Sequence, residues 1–218
     1  MTITIFDHEL PDYTHNMYDI TLDDFEIQTL LTHCPSKVES WLIDTQRIHR
    51  RRLNNLIVGL DVEWRPNHTR NSDNPIATLQ LCVGHRCLVF QIIHSPSLPQ
   101  SLAQFLANDS YTFVGVGIRK DVEKLEDDYQ LRVGNAVDLR RLVEEEELKN
   151  CGLKALARSV LGIEVEKPKS VTMSMWDNQW LTPSQVKYAS VDAFLSFEIG
   201  RRLNASGEKI VSGYYNYY

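Results

Sequence analysis

An uninterrupted apolar run over residues 56–60 is followed directly by Asp61-Val62-Glu63. Such a run predicts a strand that is buried on both faces. Because side chains alternate along a strand, the carboxylates of Asp61 and Glu63 point to the same side. Two like charges at the end of a buried strand are costly unless a cation or a proton neutralises them. The motif therefore favours a divalent metal with oxygen ligands, and the alternative is two solvated acids on an edge strand.

Length and composition predict one well-buried domain with a modest extension. The chain has 218 residues, of which 43% are hydrophobic and 24% charged, as is ordinary for a soluble globular protein. Its four cysteines form no CxxC pair and have no histidines at zinc spacing, which predicts reduced thiols in an intracellular protein. No apolar stretch approaches the roughly 20 residues of a membrane span. The first six residues lack the basic start of a secretory signal, so we expect neither secretion nor a membrane partner.

The charge balance bears on nucleic-acid binding in two opposite ways. A net charge of −6 counts against a broad basic face that grips a polyanion. It does not exclude an enzyme that holds a polyanion locally through bound metals and a few cations. The basic run over residues 47–52 ends a predicted helix, where it favours the helix dipole. A phosphate contact or a nuclear address is the alternative interpretation of that run.

Strands come first along the chain and then alternate with helices, which predicts an α/β fold with a mixed five- or six-stranded sheet flanked by helices. The predicted strands cover residues 18–22, 25–32, 56–63, 76–83, 87–92, 112–116 and 136–139. The predicted helices cover residues 35–52, 97–108, 118–129, 140–147, 152–162 and 182–203. The first two strands form a hairpin. We expect an N-terminal extension (residues 1–29) packed on a main domain (residues 30–205), a loop over residues 68–74, and a disordered tail (residues 206–218).

Three further side chains are candidates for the same chemistry as Asp61 and Glu63. Asp121 lies in the first turn of a predicted helix after a glycine-containing strand end, where it is either a metal ligand or an acid favoured by the helix dipole. Tyr188 and Asp192 are four residues apart on the last predicted helix and so share one face. They form either a local buried pair or part of a site next to the sheet.

Taken in order, these acids and the Tyr-x-x-x-Asp spacing resemble the DEDDy branch of 3′–5′ exonucleases. The local phrases that carry the resemblance are residues 59–64, 77–82, 115–121 with Leu125, 137–139, 153–157 and 185–193. The similarity covers roughly residues 30–203 and is greatest to exonucleases related to the Werner syndrome protein, particularly plant-like stand-alone forms. The sister branch has a histidine five residues before the final aspartate, whereas this chain has Lys187, so only the tyrosine branch fits.

The resemblance implies a ribonuclease H-like fold and two-ion hydrolysis of phosphodiester bonds with Mg²⁺ or Mn²⁺. In this scheme Asp61 bridges the two ions, Glu63 and Asp192 complete the first site, and Asp121 supports the second. Tyr188 is expected to orient the attacking water. A phenol with an ordinary pKa of about 10 is a poor base at neutral pH, so proton abstraction by Tyr188 is the less plausible role.

The predicted substrate contacts are Trp64, Leu79, Arg119, Lys169 and Trp176. Trp64 and Leu79 belong to the block in which relatives hold the terminal nucleotide, and for both residues core packing is the alternative. Many relatives have Arg-Pro-Leu after the tryptophan that matches Trp176, whereas this chain has Gln-Trp-Leu at residues 179–181. If that arginine binds phosphate in relatives, we expect Lys167, Lys169 or Arg119 to take its role here.

These observations predict a metal-dependent 3′–5′ exonuclease that acts on nucleic acid with a free 3′ end and releases nucleoside monophosphates, with DNA favoured over RNA. One alternative is RNA trimming of the RNase D kind. Another is a non-catalytic module that binds nucleic acid or protein on the same fold. Family analogy predicts a helicase or DNA-repair partner. The same analogy, with the basic run Arg50–Arg52, favours the nucleus over the cytoplasm.

Overall fold

The computed structural model describes residues 3–10, 13–67 and 73–207. The strands are β1 (Ile3–Asp7), β2 (His15–Leu22), β3 (Phe25–Thr32), β4 (Leu56–Trp64), β5 (Ile76–Val83), β6 (Arg86–Phe90), β7 (Tyr111–Gly115) and β8 (Ala136–Asp138). Within the described ranges they form one eight-stranded sheet in the order β1-β2-β3-β6-β5-β4-β7-β8. The pairs β3–β6, β4–β7 and β7–β8 are parallel and the other pairs are antiparallel, which confirms the predicted mixed sheet.

The sheet is larger than the predicted five or six strands because the N-terminal segment belongs to it. The predicted hairpin is present as β2 and β3. Strand β3 then pairs in parallel with β6, from Gln28 opposite Arg86 to Thr32 opposite Phe90. Strand β1 adds one further edge to β2. The hairpin therefore extends the sheet, and residue 29 lies inside β3. Most of the predicted loop, residues 68–72, and the tail from residue 208 onward lie outside the described residues.

The helices are α1 (Pro35–Ile48), α2 (Gln100–Leu106), α3 (Ile118–Tyr129), α4 (Leu153–Leu156), α5 (Lys169–Thr172) and α6 (Pro183–Arg202). Helix α4 continues into one π-helical turn, Ala157–Leu161. The helix predicted over residues 140–147 is wrong. Asp138 accepts a hydrogen bond from the Arg140 backbone N–H at 3.1 Å and caps a short 3-10 turn, Leu139–Arg141, which then ends.

Helix α6 is the element that covers the centre of the sheet. It packs across β3, β6, β5, β4 and β7. It begins with a capping box, in which the Thr182 hydroxyl accepts from the Gln185 N–H and the Gln185 side chain accepts from the Thr182 N–H. Every residue of β5 is buried, so both faces of the sheet are covered at its middle. No helix within the described ranges combines the length and the apolar character that crossing a bilayer requires.

Candidate active site

Strand β4 brings Asp61 and Glu63 to one side of the sheet. Leu60 and Val62 are buried on the opposite side, and the two acids are only partly exposed. Strand β4 lies between β5 and β7, so the two acids sit at an interior strand of the sheet. This excludes the alternative of two solvated acids on an edge strand.

Gly59 allows α6 to approach β4 closely enough to join Asp192 to this pair. A Cβ atom at Gly59 would lie 2.0 Å from the Ala193 carbonyl oxygen and 2.7 Å from the Phe197 nitrogen, so any larger residue clashes with the helix backbone. Asp192 precedes Ala193 and is 4% exposed. The close contact of strand and helix is therefore what positions the Asp192 carboxylate beside the acids of β4.

Asp121 reaches the site from helix α3, which follows the neighbouring strand β7. It lies in the first turn of α3, directly after β7, which is the parallel partner of β4. Helix α3 starts at Gly117, whose φ of 74° is in the left-handed region that favours glycine. The Gly117 N–H donates to Asp138 at 3.1 Å, and the Arg140 guanidinium donates to the same carboxylate at 2.6 Å. These contacts fix the turn from which Asp121 projects.

Burial raises the pKa of all four acids, and neighbouring carboxylates raise the pKa of three of them further. Burial raises the pKa of Asp61 well above its ordinary value, and the charges of Glu63, Asp192 and Asp121 raise it further. Burial, followed by the charge of Asp192, raises the pKa of Glu63 to about 8. Burial, followed by the charge of Asp138, raises the pKa of Asp121 to about 7. Such a cluster holds more negative charge than its surroundings stabilise, which favours the binding of cations.

Tyr188 faces Asp192 from one turn earlier on α6. Burial, followed by the charges of Asp192 and Glu63, raises the pKa of the Tyr188 hydroxyl. The hydroxyl therefore stays protonated at neutral pH and acts as a hydrogen-bond donor, as its predicted role in orienting water requires. The Trp176 ring packs beside the Tyr188 ring, with 6.0 Å between the ring centroids.

Lys167 contacts the acid cluster directly. Its ammonium donates to Asp192 Oδ2 at 2.5 Å and lies 5.4 Å from the centroid of the Tyr188 ring. Its charge lowers the pKa of Asp61, Glu63 and Asp192 against the larger effect of burial. The sequence suggested Lys167 only as a phosphate contact. No pattern pointed to the pairing with Asp192, because residues 162–168 have no regular structure from which a side-chain direction could be predicted.

The chemistry of the acid set fits Mg²⁺ or Mn²⁺, since all four candidate ligands supply carboxylate oxygens. The metal ligands predicted from the sequence are Asp61, Glu63, Asp121 and Asp192. Within the described residues, no three His, Cys, Asp or Glu side chains are already arranged around a common metal position. Instead, the Lys167 ammonium lies against Asp192 and supplies a positive charge there.

A cavity of about 460 Å³ opens beside this cluster and offers space for a substrate. Tyr188 and Asp192 line one side of it, and its wall carries the charges of Lys154 and Lys187 together with those of Glu164 and Glu166. Polar groups that converge on an open cavity are typical of a ligand site.

Two of the five predicted substrate contacts are wrong. Leu79 and Trp176 are both fully buried in the core, so neither side chain can meet a nucleotide. Leu79 is on β5, where both faces are covered, and Trp176 packs between α6 and the hairpin strands. For both residues the alternative of core packing is the correct one.

The other three predicted contacts are accessible. Trp64 ends β4 and is half-buried, with the Lys124 ammonium 5.7 Å from its ring centroid. Arg119 is exposed on α3 and donates to Glu123 at 2.7 Å. Lys169 is exposed at the first residue of α5. Their role in binding substrate stays a prediction.

The chain matches known proteins along most of its length. A family model described as 3′–5′ exonuclease matches residues 28–208. The bifunctional 3′–5′ exonuclease/ATP-dependent helicase WRN of Mus musculus is 35% identical over 156 residues, which cover 70% of this chain and 11% of that protein. A 3′–5′ exonuclease of Arabidopsis thaliana is 34% identical over 146 residues, or 65% of this chain and 50% of the relative. The chain thus spans half or less of these two relatives.

Among solved structures, Escherichia coli RNase D superposes with a TM-score of 0.67 at 17% identity, covering 81% of this chain and 44% of that one. At this identity the likeness concerns the fold alone, and it confirms the predicted ribonuclease H-like architecture.

Proposed function

The chain belongs to the 3′–5′ exonuclease family, and we therefore propose that it hydrolyses the terminal phosphodiester bond at the 3′ end of a nucleic acid and releases nucleoside monophosphates. One observation carries the proposal: residues from β4, α3 and α6, far apart in the sequence, assemble into a single partly buried cluster of acids with a protonated tyrosine. Burying four carboxylates together is energetically unfavourable, and a module that only binds nucleic acid or protein does not require this arrangement.

The acid set is the proposed metal ligand set, with Asp61, Glu63, Asp121 and Asp192 as the residues that would hold Mg²⁺ or Mn²⁺. Such ions, when bound, supply an activated water and stabilise the charge that develops on the leaving oxygen. Tyr188 donates a hydrogen bond and so fixes the direction of the attacking water, while the pKa of its hydroxyl keeps the proton in place.

We propose DNA as the preferred substrate. The WRN relative joins its exonuclease to an ATP-dependent helicase, an enzyme class that exposes strand ends, and this supports a strand-separating partner for this chain as well. Location in the nucleus stays a prediction.

The test uses three substrates labelled at the 5′ end: a 3′-recessed DNA duplex, single-stranded DNA and single-stranded RNA. Each is incubated with the purified protein and Mg²⁺, Mn²⁺ or a chelator. We expect a ladder of products that shorten from the 3′ end on DNA and that require metal. A ladder on RNA alone would replace DNA by RNA as the substrate. No ladder on any of the three substrates contradicts the proposed function.

A further inference from the structure

The sequence suggests Lys167 only as a phosphate contact, yet its ammonium contacts Asp192 of the acid cluster directly. It donates to Asp192 Oδ2 at 2.5 Å, and the side chains of Lys167 and Asp192 are 30% and 6% exposed. Burial lowers the pKa of the Lys167 ammonium, but the charges of Asp192, Asp61 and Glu63 raise it by more. A buried carboxylate in this position requires a positive partner, and in the described structure Lys167 is that partner.

A bound metal and this ammonium would share the Asp192 carboxylate. A cation that takes Asp192 as a ligand must use carboxylate oxygens, and Oδ2 already accepts from Lys167. Two positive charges on one carboxylate repel each other strongly in a partly buried site. Metal binding is therefore expected to expel the ammonium from Asp192.

The position of Lys167 in the chain allows such a movement. Residues 162–168 form neither helix nor strand, and the lysine carries its charge on a flexible four-carbon stem. Its neighbours Glu166 and Pro168 line the cavity that opens beside Tyr188 and Asp192. An ammonium that leaves Asp192 thus stays close to the space where a substrate phosphate would lie.

We propose that Lys167 is the internal counter-ion of Asp192: its ammonium pairs with this carboxylate until a divalent ion binds there, and it then leaves Asp192. The inference rests on the proposed function, because it takes Asp192 to be a metal ligand. Lys167 is in this sense a positioning residue.

The test measures metal binding without nucleic acid, so that catalysis plays no part. Mn²⁺ is titrated calorimetrically into the wild type and into Lys167→Met, at mildly alkaline pH to limit competition by protons. Methionine keeps a long unbranched side chain and removes the charge. Because the competing charge is gone, we expect Lys167→Met to bind Mn²⁺ about tenfold more tightly than the wild type. In the presence of chelator the same variant should melt at a lower temperature than the wild type.

Two control variants separate this role from other effects of charge. Lys154→Met removes an exposed lysine from the wall of the same cavity and changes the net charge equally, so its Mn²⁺ affinity should match the wild type. Lys167→Arg keeps the charge and can still pair with Asp192, so it should bind Mn²⁺ no more tightly than the wild type. If Lys167→Met does not fold, Lys167→Gln replaces it with the same expectation.

The possible outcomes distinguish this inference from the proposed function. If the wild type and Lys167→Met bind Mn²⁺ with equal affinity, Lys167 is not the counter-ion and the exonuclease proposal is untouched. An equal gain in Lys154→Met attributes the effect to overall charge and likewise overturns the inference. If none of the proteins binds Mn²⁺, the proposed metal-dependent function fails, and the inference fails with it.

Discussion

Gly59→Ala tests whether the contact between β4 and α6 positions the candidate site. The added Cβ would lie 2.0 Å from the Ala193 carbonyl oxygen and 2.7 Å from the Phe197 nitrogen. Both are backbone atoms in the middle of α6, so no side chain can rotate to relieve the overlap. Restoring an ordinary contact of 3.4 Å requires strand and helix to separate by about 1.4 Å at this point.

The size of the effect follows from that displacement. Overpacking of a well-packed core typically costs about 1–3 kcal/mol, and a clash with rigid backbone belongs at the upper end of this range. Asp61 and Asp192 lie on the two elements that must separate, so the distance between their carboxylates changes as well. A misplacement of about 1 Å in a catalytic arrangement can cost about 100-fold in rate. We therefore expect a loss of about 3 kcal/mol in the free energy of unfolding and of about 100-fold in exonuclease activity.

Urea denaturation followed by tryptophan fluorescence measures the first quantity, and the rate of 3′-end shortening of a labelled strand under folded conditions measures the second. Gly152→Ala is the matched control, because among the described residues no atom beyond the two chain neighbours lies within 4 Å of the added methyl group, and φ is −83°. It should change stability by less than about 1 kcal/mol and leave activity intact. If Gly59→Ala has the stability and activity of the wild type, the close contact does not position the site.

Three further predictions concern the acids, the tyrosine and the core. In chelator, burial above all raises the pKa of Glu63 to about 8 and that of Asp121 to about 7, so the folded protein binds more protons than the unfolded chain. The free energy of unfolding should therefore fall as pH rises from about 4 to about 8, and a flat profile by urea denaturation would contradict the raised pKa of these two acids. Tyr188→Phe should lower the rate by about 100-fold with unchanged Mn²⁺ affinity by calorimetry, and a fully active variant would remove Tyr188 from the chemistry. Leu79→Ala should lose about 2–5 kcal/mol of stability with little change in KM for the strand, whereas a raised KM without loss of stability would restore its predicted role as a substrate contact.

The sequence predicts the candidate site acids from patterns that are local to single elements. The apolar run before Asp61 and the four-residue spacing of Tyr188 and Asp192 on α6 each follow from one element. The order of the motifs then indicates that these elements meet. The close approach at Gly59 was not predicted, since nothing in the local pattern shows which helix packs on which strand.

Features that depend on contacts between residues far apart in the sequence were not predicted. The parallel pairing of β3 with β6 joins segments about 60 residues apart and converts the hairpin into part of the sheet. The burial of Leu79 and Trp176 depends on what covers them, and a single strand or turn does not reveal this. Lys167 lies in a segment without periodicity, so its contact with Asp192 is visible only in three dimensions.

The substitution Asp61→Asn tests the central claim most directly, because it keeps the shape of the side chain and removes the charge at the proposed bridging position. Wild type and variant are purified in parallel and incubated with a DNA strand labelled at its 5′ end in the presence of Mg²⁺. We expect a 3′-shortened ladder for the wild type and an intact strand for Asp61→Asn, with both proteins folded by circular dichroism. An equal ladder from the two proteins would show that the hydrolysis does not arise from this cluster.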